Sequence, residues 1–372
     1  MTNDEIAGEI NVQLDFIEFL TNKGLLKYLM DTTTSTRLSQ GQYNNFLPIP
    51  IGEKNEMVLE FYSSAFGIFT EIRENPAMLN SLRENHSLKV GDLYQIKVHP
   101  GNGCSRAGVN NENKMIEAEI YTTPNIQGFE TIAHEIGHLL TSRNSKHLQL
   151  LKAIDNATSE QEREFAQREF DGFCREKSSC DYDFIGEIDA MAIEKLFLWF
   201  LSKDSKCRSV LQQYDFDIDG YILEYEKEHE NMMFDRLQSV VNVKNILDKY
   251  NITKHFDSVA GVDEFFKQLS DNAMLDEFKH DIECLVSNNP KFEFRYIAGE
   301  AVSKYWFDRF NSSDSESRRE LLNKFVQFWH GTHVLDLDNA TNMLCDGNSF
   351  EDVVMGYFDR SLISQQDLSN EI

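Results

Sequence analysis

The segment 131–140, with the sequence TIAHEIGHLL, carries the residues of this chain whose types and spacing best fit metal chemistry. His134 and His138 are four residues apart, so on a helix they lie on one face and can bind the same metal ion. Glu135 points about 100° away from His134 around the helix axis, off the ion but within reach of a water bound to it. Since zinc acidifies such a water and a carboxylate can take its proton, the segment predicts metal-dependent hydrolysis.

The residues around these three side chains are apolar, as expected for a helix that is buried beside an active site. They are Ile132, Ala133, Ile136, Leu139 and Leu140, together with Gly137, which permits close packing. The alternative is a helix whose two histidines make only structural contacts. The apolar surroundings favour the metal site over this alternative.

A third ligand is needed, because hydrolytic zinc normally takes three protein ligands and leaves one position open. The best candidate is Glu187, at the start of the helical run 187–203, although an acidic residue in a first turn can instead stabilise the helix dipole. Glu194 lies two turns further along the same face, where a carboxylate can fix the tautomer of a metal-binding histidine. Asp189 lies off this face and is the weaker candidate for that supporting role, and His147 is another nearby histidine.

The HEIGH sequence, followed by Glu187 and a second glutamate seven residues later, resembles the gluzincin-type zinc peptidases of the thimet oligopeptidase and oligoendopeptidase F group. Tyr296-Ile-Ala-Gly299 is similar to the YxxG step of that group, and the resemblance covers roughly residues 95–360 in order. It implies zinc bound by His134, His138 and Glu187, with Glu135 as the general base and Tyr296 as a catalytic phenol.

Two further expectations come from the same resemblance. The strand at 114–121 would be a sheet edge that pairs with an extended substrate, although its charged residues fit an ordinary protected edge equally well. The tyrosine cluster of the group is replaced here by KFEF at 291–294, so the oxyanion donor could be Tyr296, Tyr305 or His280. The replaced tyrosine cluster affects the expected rate and substrate more than the expected metal.

Helical periodicity dominates the rest of the chain. Helices are predicted near 4–30, 55–82, 129–142, 187–203, 219–250, 262–287, 294–311 and 314–330, and strands near 93–98 and 115–121. The predicted fold is therefore mainly α (α+β), with one small antiparallel sheet at 89–124 beside the active-site helix. Residues 1–88 are predicted to form an N-terminal helical lobe, and residues 89–372 the catalytic domain.

Composition limits the possible partners and compartments. The 372 residues are 41% hydrophobic, which is enough for a large core, and the formal charge of -26 disfavours binding to nucleic acid or anionic membranes. The six cysteines include no CxxC pair, so a zinc ribbon is not expected. The acidic N-terminus has no signal-peptide character, which favours a cytoplasmic location, although transport by a dedicated secretion machine would leave no recognisable segment.

The sequence thus predicts a zinc-dependent peptidase with one zinc ion per chain and a peptide or protein substrate. Two alternatives remain open at this stage. One is a dedicated protease of the effector or toxin type with a single protein target. The other is a catalytically inactive metal-binding scaffold of the same fold.

Overall fold

A computed structural model describes residues 2–32, 47–90, 93–101, 105–177, 180–269, 272–332 and 335–370. Its helices are α1 (Asn3–Asn22), α2 (Leu25–Thr32), α3 (Ile51–Phe66), α4 (Thr70–Arg73), α5 (Pro76–Asn85), α6 (Ile126–Leu139), α7 (Ser142–Asn156), α8 (Glu160–Lys177), α9 (Cys180–Lys203), α10 (Ser205–Gln213), α11 (Ile218–Lys249), α12 (Val259–Gln268), α13 (Asn272–Asn288), α14 (Pro290–Ser312), α15 (Ser315–Gly331), α16 (Leu337–Leu344) and α17 (Phe350–Asn370). Its strands are β1 (Ser87–Val90), β2 (Tyr94–Pro100), β3 (Arg106–Asn110) and β4 (Met115–Thr122). None of the helices in these ranges combines the length and apolar character that crossing a bilayer requires.

The predicted fold class is confirmed, because the described residues are mostly helical and include one small four-stranded sheet. The strand order is β1-β2-β4-β3, with β2 and β4 parallel and the other two pairs antiparallel. The prediction of a purely antiparallel sheet is therefore wrong. Strand β3 pairs with the side of β4 that faces away from β2. The chain therefore crosses over between β2 and β4, and these two neighbouring strands run in the same direction.

Strand β4 lies in the interior of the sheet, which corrects the prediction that residues 114–121 form an edge. Its residues alternate strictly between buried and half-buried, with Ile116, Ala118 and Ile120 on the buried face. Helix α6 packs against this strand. The edge beyond β4 is β3, whose sequence RAGVN has no clear apolar alternation and so gave no strand signal.

The start of α6 is fixed by contacts with the preceding turn. The Asn125 side chain caps the helix by accepting a hydrogen bond from the Gly128 amide at 2.8 Å. Gly128 is required for space, because a Cβ atom there would lie 2.5 Å from the Thr123 carbonyl oxygen. The buried Lys54 donates to the carbonyl oxygens of Thr123 and Asn125, at 2.9 and 3.1 Å. These contacts start the helix three residues before the predicted position 129.

Side chains from three other helices hold the second half of α6 by its carbonyl groups. The Tyr62 hydroxyl on α3 donates to the Ala133 carbonyl at 2.7 Å, inside the core. The Trp329 indole on α15 donates to the Gly137 carbonyl at 3.3 Å. Asn144 on α7 donates to the carbonyl of His138 at 2.6 Å, close to the end of the helix at Leu139. The helix that carries the HEIGH residues is thus fixed along its length.

The chain divides into two compact units, one formed by residues 1–40, 227–301 and 350–372, and the other by residues 41–226 and 302–349. The first unit has its own apolar cluster, which α1, α11, α12 and α13 supply. The second holds the sheet together with α6 and α9. This division differs from the predicted boundary at 88/89, since residues 47–88 belong to the unit that contains α6.

Several predicted helices are interrupted in the structure. The helix expected at 4–30 is divided into α1 and α2 at Gly24, whose φ of 68° is left-handed and ends α1. The helix expected at 55–82 is divided in the same way at Gly67, where φ is also 68° and α3 ends. The region 262–287 contains α12 and α13 rather than one helix.

Candidate metal centre

Glu187 lies in the interior of α9 rather than in its first turn. The helix begins at Cys180, seven residues earlier than predicted, and Glu187 is buried with 3% of its surface exposed. The alternative role for an acidic residue in a first turn, stabilising the positive end of the helix dipole, therefore does not apply here. A buried carboxylate needs another reason to be there, such as a nearby cation.

His134, His138 and Glu187 converge on one point. Each offers a donor atom that lies within 4.8 Å of the donors of the other two, the one such cluster found in the described part of the chain. The Nε2 atom of His134 lies 3.7 Å from one oxygen of Glu187, and Nε2 of His138 lies 3.8 Å from the other. Ligands about 2.1 Å from a tetrahedral zinc ion are roughly 3.4 Å apart. Small inward movements of these side chains would thus complete the coordination of an ion.

Each imidazole also has a carboxylate near its other nitrogen. Nδ1 of His134 lies 2.7 Å from Oε1 of Glu194, which is hydrogen-bonding distance, and Nδ1 of His138 lies 3.7 Å from Asp189. The second oxygen of Glu194 accepts a hydrogen bond from the Tyr225 hydroxyl at 3.0 Å. Metal-binding histidines commonly have this arrangement, because a carboxylate at Nδ1 fixes the tautomer and leaves Nε2 for the metal.

The charges of the cluster shift the pKa values of two of its members. Burial by itself lowers the pKa of His134, but the negative charge and hydrogen bond of Glu194, with Glu187 and Glu135 nearby, raise it to about 10. Burial raises the pKa of Asp189 to about 8, although the positive charge of Arg143 opposes the shift. These charges therefore favour the imidazolium form of His134 in the metal-free chain, and a metal ion at Nε2 would compete with the proton there.

The cluster is buried but reachable. The side chains of His134 and His138 are 13% and 22% exposed, whereas that of Glu187 is 4% exposed. Glu135 is also largely buried, on the helix between the two histidines. Of the three candidate ligands, His138 is thus the most exposed to solvent and Glu187 the most buried.

Of the three candidate oxyanion donors, Tyr296 and His280 belong to the first unit and Tyr305 to the second. Tyr296 belongs to the first unit, where the Arg236 guanidinium lies 4.1 Å from its ring centre and Arg295 donates to its hydroxyl at 3.4 Å. The Tyr305 hydroxyl accepts a hydrogen bond from Asn348 at 2.9 Å. His280 is exposed, one helical turn from Cys284 on α13. The structure thus groups the HEIGH residues with Glu187, Asp189 and Glu194, and places Tyr296 in the other unit.

His147 does not belong to the cluster of candidate ligands. Its ring centre lies 5.4 Å from that of Phe170 and 5.8 Å from that of Phe173, on the neighbouring helix α8. This is an aromatic contact between α7 and α8. The ion-binding role stays with Glu187 as the candidate.

Some residues that support the cluster gave no signal in the sequence. Tyr225 reaches Glu194 from α11, and Tyr62 and Trp329 reach the α6 backbone from α3 and α15. Arg143 is buried and donates to the Thr332 carbonyl at 3.0 Å. Each contact joins helices that are far apart in the chain, so no local spacing could reveal it.

Comparison with known proteins does not assign a function to the chain. Comparisons of the chain with protein-family models, with curated proteins and with solved structures found no match in any of the three. The functional interpretation therefore depends on the residues of the cluster and their geometry.

Proposed function

We propose that the chain is a zinc-dependent peptidase that hydrolyses peptide bonds, with Glu135 as the general base. The observation that carries the proposal is the convergence of His134, His138 and Glu187, with Glu194 and Asp189 behind the two imidazoles. Two imidazole nitrogens and one carboxylate oxygen form a ligand set that suits zinc and leaves a fourth position for water or substrate. The resemblance to the oligopeptidase group supports a peptide as the substrate.

Bound zinc would supply Lewis-acid activation of a water and of the scissile carbonyl. The protein residues would then handle the proton. Glu135 follows His134 directly on α6, so its carboxylate points to the side of the ligands rather than at the ion. From there it would take a proton from the attacking water and return it to the leaving amine.

The decisive experiment is the Glu135→Gln variant, with zinc content and peptide cleavage measured on the same sample. We expect about one zinc per chain in both proteins, and a loss of turnover of about 10²- to 10⁴-fold on a quenched peptide library, as for removal of a general base. The His138→Ala variant should lose the zinc. Glu160→Gln, on the exposed first turn of α8, is the matched control and should keep both properties.

Other outcomes would contradict the proposal or restrict its substrate. Full turnover by Glu135→Gln would remove the general-base role. A protein that binds zinc but cuts neither peptides nor proteins would be the inactive scaffold. Cleavage of one folded protein, with all short peptides inert, would indicate the dedicated protease.

A further inference from the structure

A tyrosine, a glutamate and a histidine form a continuous series of contacts that ends at the candidate metal centre. The Tyr225 hydroxyl donates to Oε2 of Glu194 at 3.0 Å, and Oε1 of Glu194 lies 2.7 Å from Nδ1 of His134. Tyr225 is buried, with 4% of its surface exposed, and the Glu194 side chain is 14% exposed. The hydroxyl therefore acts on the carboxylate in a setting where competition from water is weak.

The three residues belong to the same compact unit and come from three different helices. His134 is on α6, Glu194 on α9 and Tyr225 on the first turns of α11. The two carboxylate oxygens of Glu194 each face one partner, so a donor at Oε2 restricts rotation of the group and keeps Oε1 directed at the imidazole. Without that donor, the carboxylate can turn about its terminal torsion, which is intrinsically soft.

We propose that Tyr225 is a positioning residue for the metal centre, which holds Glu194 and through it the Nδ1–H form of His134. This inference rests on the proposed function, because it assigns Tyr225 to the same zinc site. Tyr225 itself touches neither metal nor substrate. Its effect is to keep Nε2 of His134 available as the ligand atom, as partners outside the ligand shell commonly do.

The simpler explanation is that the buried Tyr225 hydroxyl needs a hydrogen-bond acceptor, and that packing happens to place Glu194 beside it. Tyr221 provides a matched control for this explanation. It lies one turn earlier on α11, is 1% exposed, and its ring centre is 6.0 Å from that of Tyr225. Both variants, Tyr225→Phe and Tyr221→Phe, remove one buried hydroxyl from the same helix, but only the first removes the donor to Glu194.

The first measurement uses the metal-free protein, so that it does not depend on zinc binding. In long-range proton–nitrogen NMR spectra, the Nδ1–H proton of His134 should be strongly deshielded and slow to exchange with water in the wild type. Tyr225→Phe should move this resonance upfield and speed its exchange, whereas Tyr221→Phe should leave it in place. An unchanged resonance in Tyr225→Phe would overturn the proposal.

The second measurement is the affinity for zinc alone, by competition with a chromophoric chelator. Tyr225→Phe should weaken zinc binding about two- to tenfold, the net value of one hydrogen bond, with Tyr221→Phe unchanged. Equal losses in the two variants would show a purely structural role and overturn the proposal. If wild-type protein binds no zinc, the proposed function fails, while the NMR comparison still decides whether Tyr225 positions His134.

Discussion

At the scale of single residues, the role of each carboxylate follows from the imidazole atom that it faces. Glu187 faces Nε2 of both histidines, whereas Glu194 and Asp189 face the Nδ1 atoms. Three buried or half-buried acids of the same helix therefore divide into one candidate ligand and two candidate supports. Residue type alone does not make this distinction.

The Glu194→Gln variant tests the support at His134. The amide keeps one acceptor but loses the negative charge that favours the Nδ1–H proton, so zinc affinity should fall about 10- to 100-fold. Glu187→Gln should cost more, because it replaces a ligand atom. Chelator competition on both variants measures this order, and a greater loss in Glu194→Gln would exchange the two roles.

At the scale of elements, the sequence predicts the helix that carries His134 and His138 well and its surroundings less well. The four-residue spacing of His134 and His138 places both on one face of α6, as observed. Glu194 could be related to Glu187 because seven residues make two helical turns. These predictions depend only on helical geometry inside one element.

The elements that sequence patterns missed depend on other parts of the chain. The stretch SSCDYD at 178–183 is polar and rich in residues that disfavour helix interiors, yet α9 already begins at Cys180. Asp189 lies off the Glu187–Glu194 face, but the packing of α6 on α9 brings it to within 3.7 Å of His138. Strand β3 forms by pairing with β4. Tertiary contacts decide each of these features.

The turn before α6 gives a stability prediction at the same scale. In Gly128→Ala the new Cβ would meet the backbone of Thr123 at 2.5 Å, so the turn or the helix must shift, and unfolding free energy should fall by about 1–3 kcal/mol. Gly8→Ala is the control, since a Cβ there meets nothing within 4 Å and the site is inside α1. That change should instead stabilise by about 0.4–1 kcal/mol. Urea unfolding of both variants tests the difference, and equal effects would contradict it.

At the scale of the whole molecule, the formal charge of -26 is the dominant electrostatic feature. So large an excess of one sign opposes compaction by self-repulsion. The buried cations Lys54 and Arg143 donate hydrogen bonds to carbonyl groups inside the fold, so they do not pair with the acidic side chains at the surface. Added salt should therefore relieve repulsion among the many acidic side chains.

We expect the melting temperature to rise as sodium chloride increases from about 10 to 150 mM, where the screening length falls from about 30 to 8 Å. Exposed ion pairs such as Arg208–Asp219 weaken over the same range, but each contributes little. Scanning calorimetry at constant pH measures the net effect. A melting temperature that falls with salt would mean that attractive pairs outweigh the repulsion.

The indole of Trp329 has a practical consequence. It is buried, and its N–H group donates a hydrogen bond to the carbonyl of Gly137, the residue directly before His138. Its near-ultraviolet emission should therefore be blue-shifted while α15 and α6 stay in contact, and should move to longer wavelength when they separate. With Trp199 and Trp306 replaced by phenylalanine, this chromophore would report the opening of the histidine helix in real time, without any attached dye.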